Sequence, residues 1–209
     1  MGKIILCRGK KADTPLTVLQ TGVKLYTAEE LCYYIYNNIY LIGQDFIDDN
    51  LISFLDETGE KELAERVRKL KETGGSLAQI FVIILKTIDY YSVAEIEQLK
   101  EILNTLGKQS VCERLKARGD GYLNAGYYFA AVRCYESIIK DYKGKDLLAA
   151  DYAKVYHNLG TAYARMFMYD KAVIYYDEAY RTGQHEESKK CSIAALIMAK
   201  KDKEPVNVD

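Results

Sequence analysis

Residues 153–180 read AKVYHNLGTAYARMFMYDKAVIYYDEAY, and the order of small and aromatic residues there limits the fold more than any other segment. Tyr156, Leu159, Gly160, Ala162 and Tyr163 recur at helical steps, and Tyr169, Ala172, Tyr176 and Ala179 do so again after a short break. The spacing predicts two short antiparallel helices packed face to face. Gly160 and Ala172 fall where the helices come closest, and tyrosines fill the space beside them. The same order occurs upstream in 115–138, at Leu115, Gly119, Tyr122, Gly126, Tyr128, Ala131, Tyr135 and Ile138. Gly119 and Gly160 stand 41 positions apart (160 − 119). The extra length falls in 141–151, where Gly144 between lysines predicts a longer loop or an extended helix end.

Over 112–200 this pattern resembles the tetratricopeptide repeat, whose standard period is about 34 residues. The resemblance implies an all-α, right-handed superhelical stack of antiparallel helical hairpins, here preceded by a short N-terminal β hairpin or arm. It also implies a concave groove lined by the first helix of each pair. The family's groove positions map onto Glu113, Lys116, Ala117, Asp120, Leu123 and Asn124 in the first repeat. In the second they map onto Lys154, His157, Asn158, Thr161, Ala164 and Arg165. Such a polar groove suits an extended peptide, whose backbone and carboxylates need hydrogen-bond partners. One subclass of the family grips C-terminal carboxylates with Lys and Asn side chains. Lys116 and Asn158 match two of its positions, whereas Asp120 stands where Asn is expected and would repel a carboxylate. The function implied is non-catalytic protein or peptide binding, as a scaffold or adaptor. Two other readings are a peptide-responsive regulator and an enzyme with its site in 1–108.

The remaining chain is read from periodicity. Residues 1–26 form a β arm or hairpin, with strands expected at 2–7 and 22–27. Residues 27–108 form helical hairpins. Thr27 and Glu30 make a capping-box pattern before a helix that runs to Ile42. Further helices are expected over 45–56, 60–72, 77–90 and 93–106, the last capped by Ser92 and Glu95. Segment 77–88, LAQIFVIILKTI, is the most apolar; it is too short to span a bilayer and predicts a fully buried helix. Repeats with a C-terminal capping helix occupy 109–201. In that last helix, 186–201, Cys191, Ala194, Ala195 and Met198 are expected to face inward and the lysines outward. Residues 202–209 read as a flexible tail.

Composition narrows the function. Net charge is −1, with acids and bases interspersed, so no basic face is available for nucleic acid or an anionic membrane. Five scattered cysteines without a CxxC pair predict reduced, mostly buried thiols in a cytoplasmic protein. His157 and His185 lack metal-pair spacing; they read as a groove residue and a loop residue, and Cys191 as a core thiol. Asp45, Asp48 and Asp49 suit a helix start better than a metal site. No catalytic, cofactor-binding or metal constellation is expected. The 19 tyrosines read mainly as packing residues with a polar tip, with a binding role open for Tyr127, Tyr175 and Tyr180. The Tyr-rich face of 28–42 is a candidate surface for homo-oligomer formation.

Overall fold

The computed structural model describes residues 7–142 and 147–201. They form a two-stranded antiparallel hairpin followed by ten α-helices, in two units, 1–109 and 110–209. No helix among the described residues is long and apolar enough to cross a membrane.

In the first unit, β1 (Leu16–Val18) pairs with β2 (Val23–Leu25), Leu16 opposite Leu25 and Val18 opposite Val23. Gly22 completes the turn at φ +71, a conformation glycine adopts without strain. The hairpin therefore differs from the sequence expectation. The strand expected at 22–27 overlaps β2, but its partner is 16–18. Of the strand expected at 2–7, residues 2–6 lie outside the described residues and Cys7 is in no strand. A three-residue strand is too short to show alternation, and Pro15 reads as a break although proline is tolerated at a strand's start. The chain after Cys7 is tied to the beginning of the first helix instead. Arg8 and Gly9 donate their N–H groups to Glu29 Oε1 at 2.7 and 2.8 Å. Burial alone would raise the Glu29 carboxyl; those N–H groups outweigh it and hold the group below its usual range.

Helix α1 (Ala28–Asn37) begins in the expected capping box, with Thr27 and Glu30 each bonding the other's backbone N–H. It stops before Ile42. The side chains of Asn37 and Asn38 donate to the carbonyls of Tyr33 and Tyr34, and such local bonds compete with helix continuation. Two tyrosines of this segment serve their own unit: Tyr34 is buried and stacks near Phe46, and Tyr36 stacks on Tyr91 at 4.2 Å, whereas Tyr40 is exposed. After a 3-10 turn at Gln44–Phe46, α2 (Asp49–Glu57) starts at Asp48, whose carboxylate accepts from Leu51 N–H. Helices α3 (Lys61–Glu72), α4 (Leu77–Ile88) and α5 (Val93–Lys108) complete the unit. Gly107 does not end α5; the helix runs through it to Lys108. Phe81, Ile84 and Leu85 of α4 are fully buried in the core. The helix is not buried all round, however: Val82 and Ile83 are half-buried and Lys86 is exposed. They floor a depression of about 890 Å³ between α3 and α5, rimmed by Arg66 and Lys100.

The second unit holds α6 (Val111–Asn124), α7 (Tyr128–Asp141), α8 (Ala149–Arg165), α9 (Tyr169–Gly183) and α10 (Glu186–Lys201). Ser110 and Glu113 form the capping box of α6. Of the expected loop 141–151, residues 143–146 lie outside the described residues, as does the tail 202–209. Each hairpin contains the same close contact. An added Cβ on Gly119 would lie 2.7 Å from Tyr135 Cε1, and one on Gly160 would lie 2.8 Å from Tyr176 Cδ1. Real Cβ atoms do not approach so closely, so only glycine lets each ring lie against the facing helix. A third close approach lies outside the repeated pattern: a Cβ on Gly183 would meet Ala153 Cβ at 2.6 Å. Contacts 153 with 183, 160 with 176 and 163 with 175 show that α8 and α9 run antiparallel.

Helix α10 is the largest departure. Its buried residues are Ser188, Ser192, Ala195 and Ala199. Cys191 is half-buried, and Ala194 and Met198 are exposed, so the inward face is not the expected apolar one. The inner side chains bond their neighbours: Ser192 donates to Asp177 of α9 at 2.6 Å. Hydrogen bonding and close approach of small residues, not bulk apolarity, seat this helix.

Candidate functional site

Five of the expected groove residues converge in two clusters, both centred on a nested tyrosine. In the first, the Tyr135 hydroxyl passes Gly119 and donates to Asp120 Oδ1 at 2.6 Å. Lys116 Nζ meets the other Asp120 oxygen at 2.8 Å. Asn158 Nδ2, from α8, donates to Asp120 Oδ1 at 2.8 Å and approaches the Tyr135 hydroxyl at 3.4 Å. Asp120 is thus the hub that joins α6, α7 and α8. Burial, and then the Asp120 charge, push the Tyr135 phenol upward, so it remains a donor.

The second cluster repeats the first by one hairpin. Tyr176 passes Gly160, and its hydroxyl lies 3.0 Å from Thr161 Oγ1, where the first hairpin has Asp120. Thr161 also donates to the His157 carbonyl at 3.1 Å. The His157 ring lies 5.3 Å from the Tyr176 ring and 4.9 Å from that of His185. His157 Nδ1 and His185 Nδ1 stand 2.9 and 2.8 Å from the same hydroxyl, that of the fully buried Ser188. Burial first, then the nearby His185 charge, lower the His157 imidazole, with Glu187 opposing.

The structure therefore brings together Lys116, Asp120 and Asn158, and separately His157 and Thr161. Their polar atoms bond one another or the neighbouring helices. Lys116 and Asn158, the two matches to the carboxylate-gripping subclass, both turn to Asp120. Leu123 is half-buried beside these clusters, whereas Asn124, Lys154 and Arg165 are exposed; Lys154 lies 3.5 Å from Asp151. Sequence reasoning missed the Ser188 hydroxyl and the part His185 plays with it. His185 lies in the turn between α9 and α10, as the sequence reading has it, and no local pattern joins positions 157 and 188.

Tyr127, Tyr175 and Tyr180 all have internal neighbours. Tyr127 stands edge-on to Tyr122, Tyr175 stacks on Tyr163 at 5.4 Å, and Lys189 Nζ lies over the Tyr180 ring at 4.9 Å. No disulfide links the five cysteines; Cys32, Cys112 and Cys134 are buried and Cys7 is exposed. Among the described residues, no group of three His, Cys, Asp or Glu side chains could hold a metal ion. Asp48 is a helix cap, Asp49 meets Lys71 at 2.7 Å and Asp45 accepts from Gln20 at 3.1 Å, so the acidic run is divided among separate partners. No family model matches the chain, and no curated protein or solved structure matches it.

Proposed function

We propose that residues 110–201 act as a tetratricopeptide-like, right-handed stack that binds a protein or peptide segment without catalysis, as a scaffold or adaptor. The observation that carries this reading is the glycine–tyrosine nest, made twice at a spacing of 41 residues (160 − 119) with the same hydroxyl bond beyond it. Two similar hairpins with α6 beside α8, joined by the Asn158–Asp120 bond, support the reading. Within that face the half-buried polar side chains fix the helices. The exposed ones, Asn124, Lys154 and Arg165, are left to meet an extended chain, with two cations suited to its carboxylates.

The test is a peptide selected from a displayed random library on the intact protein, followed by Asn124→Ala, Lys154→Ala and Arg165→Ala combined. All three are exposed, so the fold persists. Affinity should fall at least about tenfold, equivalent to roughly 1.4 kcal/mol. Failure to select any peptide, or affinity unchanged in the triple variant, refutes the assignment.

A further inference from the structure

Helix α10 is packed inside out. Its small residues Ser188, Ser192, Ala195 and Ala199 face inward, while Ile193, Leu196 and Ile197 are 56, 45 and 52 % exposed. A helix that closes a stack needs a polar outer face, and this one presents an aliphatic stripe. The rest of the unit indicates what belongs on it. Helix α6 is covered by α7 and α8 by α9, each an antiparallel neighbour, whereas no described helix follows α10.

A two-fold axis through the middle of α10 supplies that neighbour, because it sets the α10 of a second copy antiparallel to the first. The charges at the helix ends agree with this pairing. Glu186 and Glu187 occupy the first turn and Lys200 and Lys201 the last, so each acidic end meets the basic end of the other copy. Of the two remaining lysines, Lys189 is engaged by the Tyr180 ring. Lys190 borders the stripe, and its stem can lie along the partner's aliphatic side chains with the ammonium in water. We infer that the chain forms a two-fold dimer through α10, with Ile193 nearest the axis and Ile197 beside the partner's Lys190.

One helix per copy is less than a standard interface, so the dimer is reversible. Sedimentation velocity on the full chain, from about 1 to about 200 µM, spans the affinities of such contacts. Wild-type protein should shift from monomer to dimer across this range, and the Ile193→Asp/Ile197→Asp variant should stay monomeric with unchanged circular dichroism. Two further variants separate α10 pairing from general loss of apolar surface. Glu186→Lys/Glu187→Lys and Lys200→Glu/Lys201→Glu should each dimerise at least about tenfold more weakly alone, and an equimolar mixture should recover dimer. A wild type that stays monomeric at every concentration assigns the stripe to a different partner and overturns the inference. So does a dimer that survives the aspartates, or charge variants that do not complement each other.

Discussion

The glycine–tyrosine nest makes Gly160→Ala a substitution whose sign depends on a single contact. In the middle of a helix, replacing glycine with alanine ordinarily gains about 0.5–1 kcal/mol, because the unfolded chain loses freedom. At position 160 the new methyl would lie 2.8 Å from Tyr176 Cδ1 and 3.0 Å from Cε1 and Cγ. Carbon atoms pack best at about 3.5–4.0 Å, so the ring must retreat by roughly 0.7 Å or more. It has little room, since its hydroxyl is held by Thr161 and the His157 ring lies beside it. Overpacking of this kind costs about 1–3 kcal/mol, and losing the hydroxyl bond adds about 1 kcal/mol. The net expectation is a destabilisation of about 1–3.5 kcal/mol. Gly119→Ala should behave alike, with Tyr135 Cε1 at 2.7 Å. Gly107→Ala is the control: it sits in α5 with no atom within 4 Å of the added methyl, and should gain about 0.5 kcal/mol. Urea unfolding followed by circular dichroism measures each change. Hydrogen exchange of peptides from α8 and α9 assigns the shift to the second unit. In a double-mutant cycle, Tyr176→Leu should return part of the stability lost in Gly160→Ala. A Gly160→Ala protein as stable as wild type, at unchanged urea dependence, would refute the nest as the reason for glycine at 160.

Phe167 stands 41 positions after Gly126 (167 − 126), and both have positive φ, +61 and +82. The phenylalanine is strained there and is 75 % exposed, so Phe167→Gly should raise stability by about 0.5–1 kcal/mol in urea unfolding. A loss of stability would show that the ring makes a contact worth more than the strain. Acid should loosen the seat of α10. The His157 imidazole is lowered in the folded state, so its contribution is fully present above the ordinary value of 6.5 and is lost as pH falls below that. The groups facing it are His185, Ser188 and Glu187 along the α9–α10 turn and α10, and Tyr176 on α9; Glu187 alone opposes the shift. The protection factors of α10 amides, taken relative to the intrinsic exchange rate at each pH, should therefore fall between about pH 7 and about pH 5, and His157→Gln should flatten that dependence. An identical pH response in the variant would remove His157 as the cause.

The part of this structure legible in the sequence is the part whose partners lie within one hairpin. Gly119 meets Tyr135 and Gly160 meets Tyr176, each 16 positions on, so periodicity alone carries the contact. Capping boxes at Thr27 and Ser92 are equally local. Longer pairings were illegible: Asn158 reaches Asp120 across 38 positions and His157 reaches Ser188 across 31. The polar groove residues consequently read as free donors, whereas most of them bond one another. Helices α4 and α10 fail the sequence reading for a shared reason. Apolar periodicity states how much surface a helix has to offer, and it is silent on whether a neighbour exists to cover it. In α4 the result is a half-buried face over Val82 and Ile83, although the segment is the most apolar in the chain. In α10 the small residues win the inner side, because hydroxyls at 188 and 192 have hydrogen-bond partners on α8 and α9 and isoleucines there would be too large to let the helices approach. The aliphatic side chains are displaced outward by that requirement, and their exposure follows from the inner contact rather than from any preference of their own.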